Sequence, residues 1–252
     1  MPVWWHSIDL GDGVVTPGVK SPEFMEYEWW SFRLPGLQGK SFLDIGAWDG
    51  YFSFRAEREG AHRVVALDHY VWMLDLQAQR VYYEKCLREG VRAEEFSQVP
   101  GLWRPEDLPG KAGFDCAHEL LASKVECVVA DFMEMDLQTL GRFDVVLYAG
   151  MLYHMRHPLL ALERVAAVTN ERAIIETQAI AIGGMDELEV ALFLGRHQLR
   201  GDPTNWWAPT APALQAMCES AGFSTTELLI GPPEDIENGE IRNYVVVVAA
   251  DK

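Results

Sequence analysis

The sequence predicts an α/β protein built on a doubly wound, mostly parallel sheet of seven strands. Three observations predict it. From residue 41 onward, short apolar runs alternate with helical segments, the pattern of a parallel sheet covered on both faces. A glycine-bearing turn, Asp44-Ile45-Gly46-Ala47-Trp48-Asp49-Gly50, joins the first apolar run to the first helical one. Acidic residues, Asp68 and Asp131 among them, close the apolar runs.

The elements follow in order. Residues 1–40 are expected to form an aromatic-rich N-terminal cap, carrying Trp4, Trp5, Trp29 and Trp30 and broken by Gly11, Gly13, Pro17 and Pro22. One short helix is expected at 23–32, and the segment is too aromatic to be a solvated tail. Residues 41–252 form the main domain, with strands expected at 41–46, 63–68, 124–130, 143–148 and 171–177. Helices are expected at 51–59, 70–90, 114–121 and 158–168, the second closed by Gly90. The Pro- and Gly-rich stretch 99–113 reads as a loop, and the insertion of about 90–113 as a lid. The chain then changes character: a helix at 211–222 is followed by strands at 224–230 and 243–249, joined by an acidic, hairpin-like loop. These last strands would add antiparallel pairing at one edge. An exposed final strand and the aromatic cap would offer a homodimer surface.

Composition narrows the function. A hydrophobic share of 49% and a charged share of 23% mark an ordinary globular chain of 252 residues. Its formal net charge of −17 repels polyanions, so nucleic acid is not an expected partner and a small-molecule substrate is. Cys86, Cys116, Cys127 and Cys218 show no C-x-x-C spacing and read as free thiols. The chain opens on no signal-like segment, and its apolar runs are too short to span a bilayer. A cytoplasmic protein without membrane contact is expected.

The glycine turn lacks the dinucleotide spacing, because Gly50 follows Gly46 four positions on. A cofactor without a pyrophosphate is the expected ligand, approached by Gly46, Ala47, Trp48 and Gly50. Asp44 would meet an ammonium group through water. Asp68, with His69 beside it, would take ribose hydroxyls. Asp131 would accept an adenine amino hydrogen while Phe132 flanks the ring. Three strand-end acids suit a cationic nucleoside cofactor.

LDIGAWDGYFSF, VVALD, ADF and FDVVLYAGMLYH resemble, in order and position, the motifs of class I S-adenosylmethionine-dependent methyltransferases. The resemblance covers 41 to about 180 and implies a Rossmann-like methyltransferase fold, S-adenosylmethionine as cofactor and S-adenosylhomocysteine as product. FDVVLYAGMLYHMRHPLLAL, ERAIIETQAI and NWWAPTAPALQAMCESAGF are further similar to the enzymes that methylate or carboxymethylate the wobble uridine of tRNA. Within that resemblance Tyr153 matches a pocket tyrosine and Arg242 an arginine near the pocket. Tyr148, closing the fourth strand, joins the expected cofactor contacts. HSIDLGDG holds no counterpart of the lysine that the carboxymethyl-transferring members use, so ordinary S-adenosylmethionine is favoured.

Methyl transfer to a hydroxyl needs a base. His154, after Tyr153, is the first candidate, with a helix cap or a carbonyl-bonded ring as its alternative. Glu176 is the second, against a structural ion pair; His6 and His118 are reserve candidates, with a structural role as their ordinary reading. Trp5, Trp103, Asn205, Trp206, Trp207 and Arg242 are the expected acceptor contacts, although most tryptophans in proteins fill cores. Met151 and Met155 line a pocket or simply pack. Asp131, Glu134 and Asp136 are close enough in sequence to hold magnesium, though a solvated loop is the ordinary reading. Three functions compete: O-methylation of a small polyhydroxylated acceptor (a sugar or secondary metabolite), methylation of the tRNA wobble uridine, and non-catalytic cofactor binding as a partner protein.

Overall fold

The computed structural model describes residues 2–195, 199 and 202–252. Its strands form a seven-stranded, mostly parallel α/β sheet and a separate two-stranded ribbon. Two compact units divide the chain, one built mainly from residues up to 30 and 36–135, the other mainly from 136–199 and 204–252.

In the first unit, helix α1 (Pro22–Ser31) buries Met25 and Trp29. Strand β1 (Ser41–Ile45) is buried at every residue, as a strand covered on both faces must be. It leads through the glycine turn into α2 (Tyr51–Arg58). Strand β2 (Arg63–Asp68) pairs parallel to β1, with Ser41 opposite Arg63 and Ile45 opposite Leu67.

The single helix expected at 70–90 is two helices, α3 (Tyr70–Met73) and α4 (Leu76–Glu89). Leu74 is extended (φ −86°, ψ 137°) and pairs with Trp103. Asp75 supplies the reason: its carboxylate accepts the Ala78 N–H at 3.0 Å, an N-cap inside the periodic run. Gly90 closes α4 in the left-handed conformation, as expected.

The insertion is not a bare loop. Short 3-10 turns occupy Phe96–Gln98 and Pro109–Lys111, and α5 begins earlier than expected (Ala112–Leu120). Leu74, Cys86, Ala93, Phe96 and Leu102 form a small core of their own. The Asp75 N–H donates to the Leu102 carbonyl at 2.8 Å, and the Arg104 N–H to that of Met73 at 2.7 Å. Strand β3 (Glu126–Val129), shorter than expected, runs parallel to β2 and is mostly exposed.

The second unit begins with α6 (Leu137–Leu140), β4 (Phe143–Ala149) and α7 (Pro158–Val168), the last opened by a proline that has no N–H to leave unpaired. Strand β5 (Thr169–Ile182) is twice the expected length of seven residues, paired parallel to β4 along its first half. The added length packs Ile180 against Leu194 and Ala208. A ribbon of β6 (Ala191–Phe193) and β7 (Trp207–Pro209) was not foreseen: the two tryptophans assigned to a loop sit at its end, with Trp207 inside β7. Helix α8 (Ala211–Ser220) is capped by Thr210. Strands β8 (Thr225–Ile230) and β9 (Ile241–Asp251) pair antiparallel, as expected. The final strand is not exposed at an edge, however; β9 lies between β5 and β8, and β8 holds the edge. Among the described residues, no helix is long and apolar enough to cross a membrane.

Candidate functional site

The glycine turn of the first unit is fixed from several sides. The N–H groups of Gly46 and Ala47 both donate to the Leu67 carbonyl of β2, at 2.8 and 3.2 Å. Trp48 has a left-handed backbone (φ 50°), uncommon for a bulky residue. Its N–H donates to Asp68 Oδ2 at 3.0 Å, and its carbonyl accepts the Trp72 indole N–H at 2.6 Å. Gly50 is also left-handed (φ 87°), and a Cβ there would lie 2.6 Å from the Phe54 ring and 2.7 Å from the Phe114 ring. Only glycine fits that turn.

Two buried carboxyls lie beneath it. Asp44 accepts the Ser53 hydroxyl at 2.7 Å. Burial pushes its pKa up to about 6, against the hydrogen bond from Ser53 and the nearby His6. Burial likewise pushes Asp68 up to about 6, against backbone N–H groups of Trp48 and Val71. His69 is held below its ordinary value by burial, with Asp131 opposing; the two side chains are 3.6 Å apart. Trp103 meets His69 edge-on at 6.3 Å and Tyr70 at 5.4 Å. Asp131 accepts the Met133 N–H at 2.8 Å, and Phe132 is buried. The turn is thus tied to β2 through the Leu67 carbonyl and Asp68, Asp44 is held by Ser53, and His69 lies beside Asp131 and Trp103.

The sequence reading missed Asp49. Its carboxylate, almost wholly buried, accepts the N–H groups of Trp5 and His6 at 2.8 and 2.9 Å and pairs with the His6 imidazole. The reserve histidines are both engaged: His6 by Asp49, and His118 through Nε2 with the Val125 carbonyl at 3.0 Å. The clamp lays the Trp5 indole flat on Trp48, with centroids 4.9 Å apart. Trp48 Nε1 is buried with no hydrogen-bond partner among the described residues. The second acid in DIGAWDG was the only available signal.

The second unit gathers a different set. Gly150, after β4, is left-handed (φ 71°), and a Cβ there would lie 3.8 Å from Glu176 Oε2 and 4.0 Å from the Tyr153 hydroxyl. Tyr148 and Glu176 are buried. The rings of Tyr153 and His154 are 4.1 Å apart. The Trp206 N–H donates to the Tyr153 carbonyl at 2.8 Å, and Arg156 lies over the Trp206 ring at 4.5 Å. Trp207 meets Phe193 edge-on at 5.1 Å and lines a small apolar hollow with Leu152 and Tyr153. Asn205 is buried, its amide donating to the Leu199 carbonyl at 3.3 Å and its Oδ1 unpartnered among the described residues. Arg242 stands apart from this group. It is opposite Ala181 on β5, five positions beyond Glu176 or roughly 17 Å along the strand, and its guanidinium pairs with Asp235 and Glu240. Among the described residues, no three His, Cys, Asp or Glu side chains gather as a metal ligand set.

A family model described as a methyltransferase domain matches residues 24–228. The chain belongs to that family. Among its curated relatives, the tRNA U34 carboxymethyltransferase of Campylobacter hominis is 28% identical over 213 residues, 82% of this chain and 60% of the relative. The enzyme of the same name from Pseudomonas fluorescens is 28% identical over 205 residues, 77% of this chain and 49% of the relative. The chain thus spans about half to three-fifths of the length of these relatives. Two solved structures share its fold. The N-terminal domain of EvdMO1, crystallised in the presence of SAH and D-fucose, superposes with a TM-score of 0.56 at 20% identity, covering 98% of this chain and 91% of that one. Magnesium protoporphyrin IX methyltransferase from Synechocystis PCC 6803, with bound SAH, gives 0.52 at 16%, covering 96% and 90%.

The methyltransferase turn fits a cationic cofactor on its own chemistry. Two carboxyls held near pH 6 by burial are positions where a neighbouring positive charge would be welcomed. The buried, unpartnered indole N–H of Trp48 adds a donor within the same turn.

Proposed function

We propose that the protein uses S-adenosylmethionine to O-methylate a small polyhydroxylated acceptor. The observation that carries the reading is the Gly46–Gly50 turn, fixed by hydrogen bonds over Asp44 and Asp68, two carboxyls that burial pushes up to about 6. When bound, S-adenosylmethionine supplies an electrophilic methyl carbon on a sulfonium. In this reading Gly46, Ala47, Trp48 and Gly50 bring the backbone close to it. Asp44, Asp68, His69, Asp131 and Phe132 hold the amino-acid and nucleoside parts, with Tyr148 and Tyr153 as further contacts. The protein's remaining task is alignment and proton removal. His154 takes the acceptor's hydroxyl proton, and Glu176 is the second candidate. Trp5, Trp103, Asn205, Trp206 and Trp207 are the proposed acceptor contacts; Arg242, paired with Asp235 and Glu240, is not among them. The fold has been crystallised in the presence of a sugar in EvdMO1, which makes sugars the first acceptors to try.

The names of the curated relatives favour a second reading, methylation of the tRNA wobble uridine. A net charge of −17 opposes it. Titration calorimetry with S-adenosylhomocysteine, followed by a challenge with bulk tRNA at low salt, separates the two. Binding of the nucleoside without tRNA supports the small acceptor. Salt-sensitive tRNA binding promotes the wobble-uridine reading. Absence of nucleoside binding sinks both.

A further inference from the structure

Helix α1 carries apolar residues on two faces, and the fold buries one of them, with Met25 and Trp29. An α-helix turns about 100° per residue, so Phe24, Tyr27 and Trp30 form a row on the opposite side. These rings are 47, 61 and 71% exposed, and Val19, ahead of the helix, is 71% exposed. Phe24 and Tyr27 lean on each other, with centroids 6.2 Å apart. A single apolar side chain on a surface is ordinary. Three aromatic rings in one row make a contiguous patch, and such patches mark contact surfaces.

The acids beside the row are paired within the chain. Glu26 meets Arg55 at 2.6 Å, and Glu28 meets Lys20 at 2.6 Å. Lys20 Nζ also lies 5.6 Å from the centre of the Phe24 ring. Glu23 stands at the N-terminal end of the row, where an interface has its polar rim. A net charge of −17 turns polyanions and anionic lipid surfaces away from such a face. Between two copies of so acidic a chain, contact is favoured where the acids are already neutralised, and α1 is such a place.

The row is also complementary to itself. Antiparallel packing about a two-fold axis at Tyr27 sets each Phe24, the smallest ring, against the partner's Trp30, the largest. Phe24 and Trp30 stand about 9 Å apart along the helix, so the three rings fit one short crossing. At their exposures the rings present roughly 350 Å² per copy. That is the apolar core of a small specific interface, one that totals under about 1,200 Å². We propose that the protein forms a homodimer through α1, with Phe24, Tyr27 and Trp30 of both copies at its centre. The dimer is reversible, with a Kd on the order of micromolar. The proposal is independent of cofactor and acceptor.

Sedimentation velocity of the full chain, from low to high micromolar concentration, tests it. The expected result is a mass that doubles as concentration rises. Tyr27→Glu and Tyr27→Lys each set like charges across the axis and should weaken association about 100-fold or more. Circular dichroism should show both variants folded, because the Tyr27 side chain is largely exposed. An equimolar mixture of the two variants should recover the dimer, since opposite charges then meet. Phe193→Ser, at an exposed aromatic of the β6–β7 ribbon, should dimerise as the parent does. A parent that is monomeric at every concentration overturns the proposal. So does a Tyr27→Glu chain that pairs like the parent, a mixture that stays monomeric, or a dimer lost with Phe193→Ser.

Discussion

The indole of Trp5 lies on that of Trp48 with planes within 13°, because Asp49 fastens the backbone that carries Trp5. Asp49→Ala would strip the partner from the buried His6 N–H, the half-buried Trp5 N–H and the His6 ring. Each buried donor left unsatisfied costs about 1–3 kcal/mol. The variant should lose several kcal/mol in urea denaturation, and its tryptophan fluorescence should report a separated Trp5–Trp48 pair. Asp49→Asn keeps one acceptor oxygen and should lose less. A loss under 1 kcal/mol for Asp49→Ala would show that the clamp is incidental.

Gly50→Ala tests the turn. A left-handed alanine costs about 1–2 kcal/mol, and the methyl must displace two phenyl rings, adding about 1–3 kcal/mol of overpacking. Both thermal stability and S-adenosylhomocysteine affinity should fall. Gly39→Ala, also left-handed but open to space, should cost only the conformational part.

The buried carboxyls make a pH prediction. Asp44 rises from 3.8 to about 6 on folding, so the native state holds its proton more tightly than the unfolded chain. Its contribution to stability is fully present below about pH 4 and is lost as pH rises through 6. Asp68 behaves alike. Asp44→Asn, which retains an acceptor for Ser53, should flatten the stability profile between these limits. A positively charged cofactor favours the ionised carboxyls, so S-adenosylmethionine binding near pH 6 should release protons and tighten as pH rises. Calorimetry in two buffers of different ionisation enthalpy reads the released protons, and proton uptake would contradict the placement.

Removal of a general base costs about 100- to 10,000-fold in rate. Once an acceptor is found, His154→Gln should lose turnover on that scale while binding S-adenosylhomocysteine as the parent does. Equal losses in both would mark the histidine as part of the frame.

Much of the fold was legible because burial wrote it in apolar runs: β1, β2, β4 and α7 stand within a residue or two of their expected places. The hydrophobic period on either side of Asp75 concealed the helix break that its carboxylate caps. The ribbon of β6 and β7 escaped because three-residue strands carry no period to detect. Within the candidate site, motif residues such as Gly46, Gly50 and Asp68 could be named from spacing. Asp49 could not, since it acts through contacts more than 40 residues distant in sequence. Arg242 drew attention through the resemblance, whereas its ion pairs are made with Asp235 and Glu240, close by in sequence.

The peptide of Trp48 is gripped at both ends, its N–H by Asp68 and its carbonyl by Trp72, in a conformation a tryptophan would not choose alone. The ordering entropy of this turn is therefore charged to folding and not to ligand association. A ligand arriving there meets a preorganised surface, and its affinity is spared the penalty that a loop frozen on contact would levy.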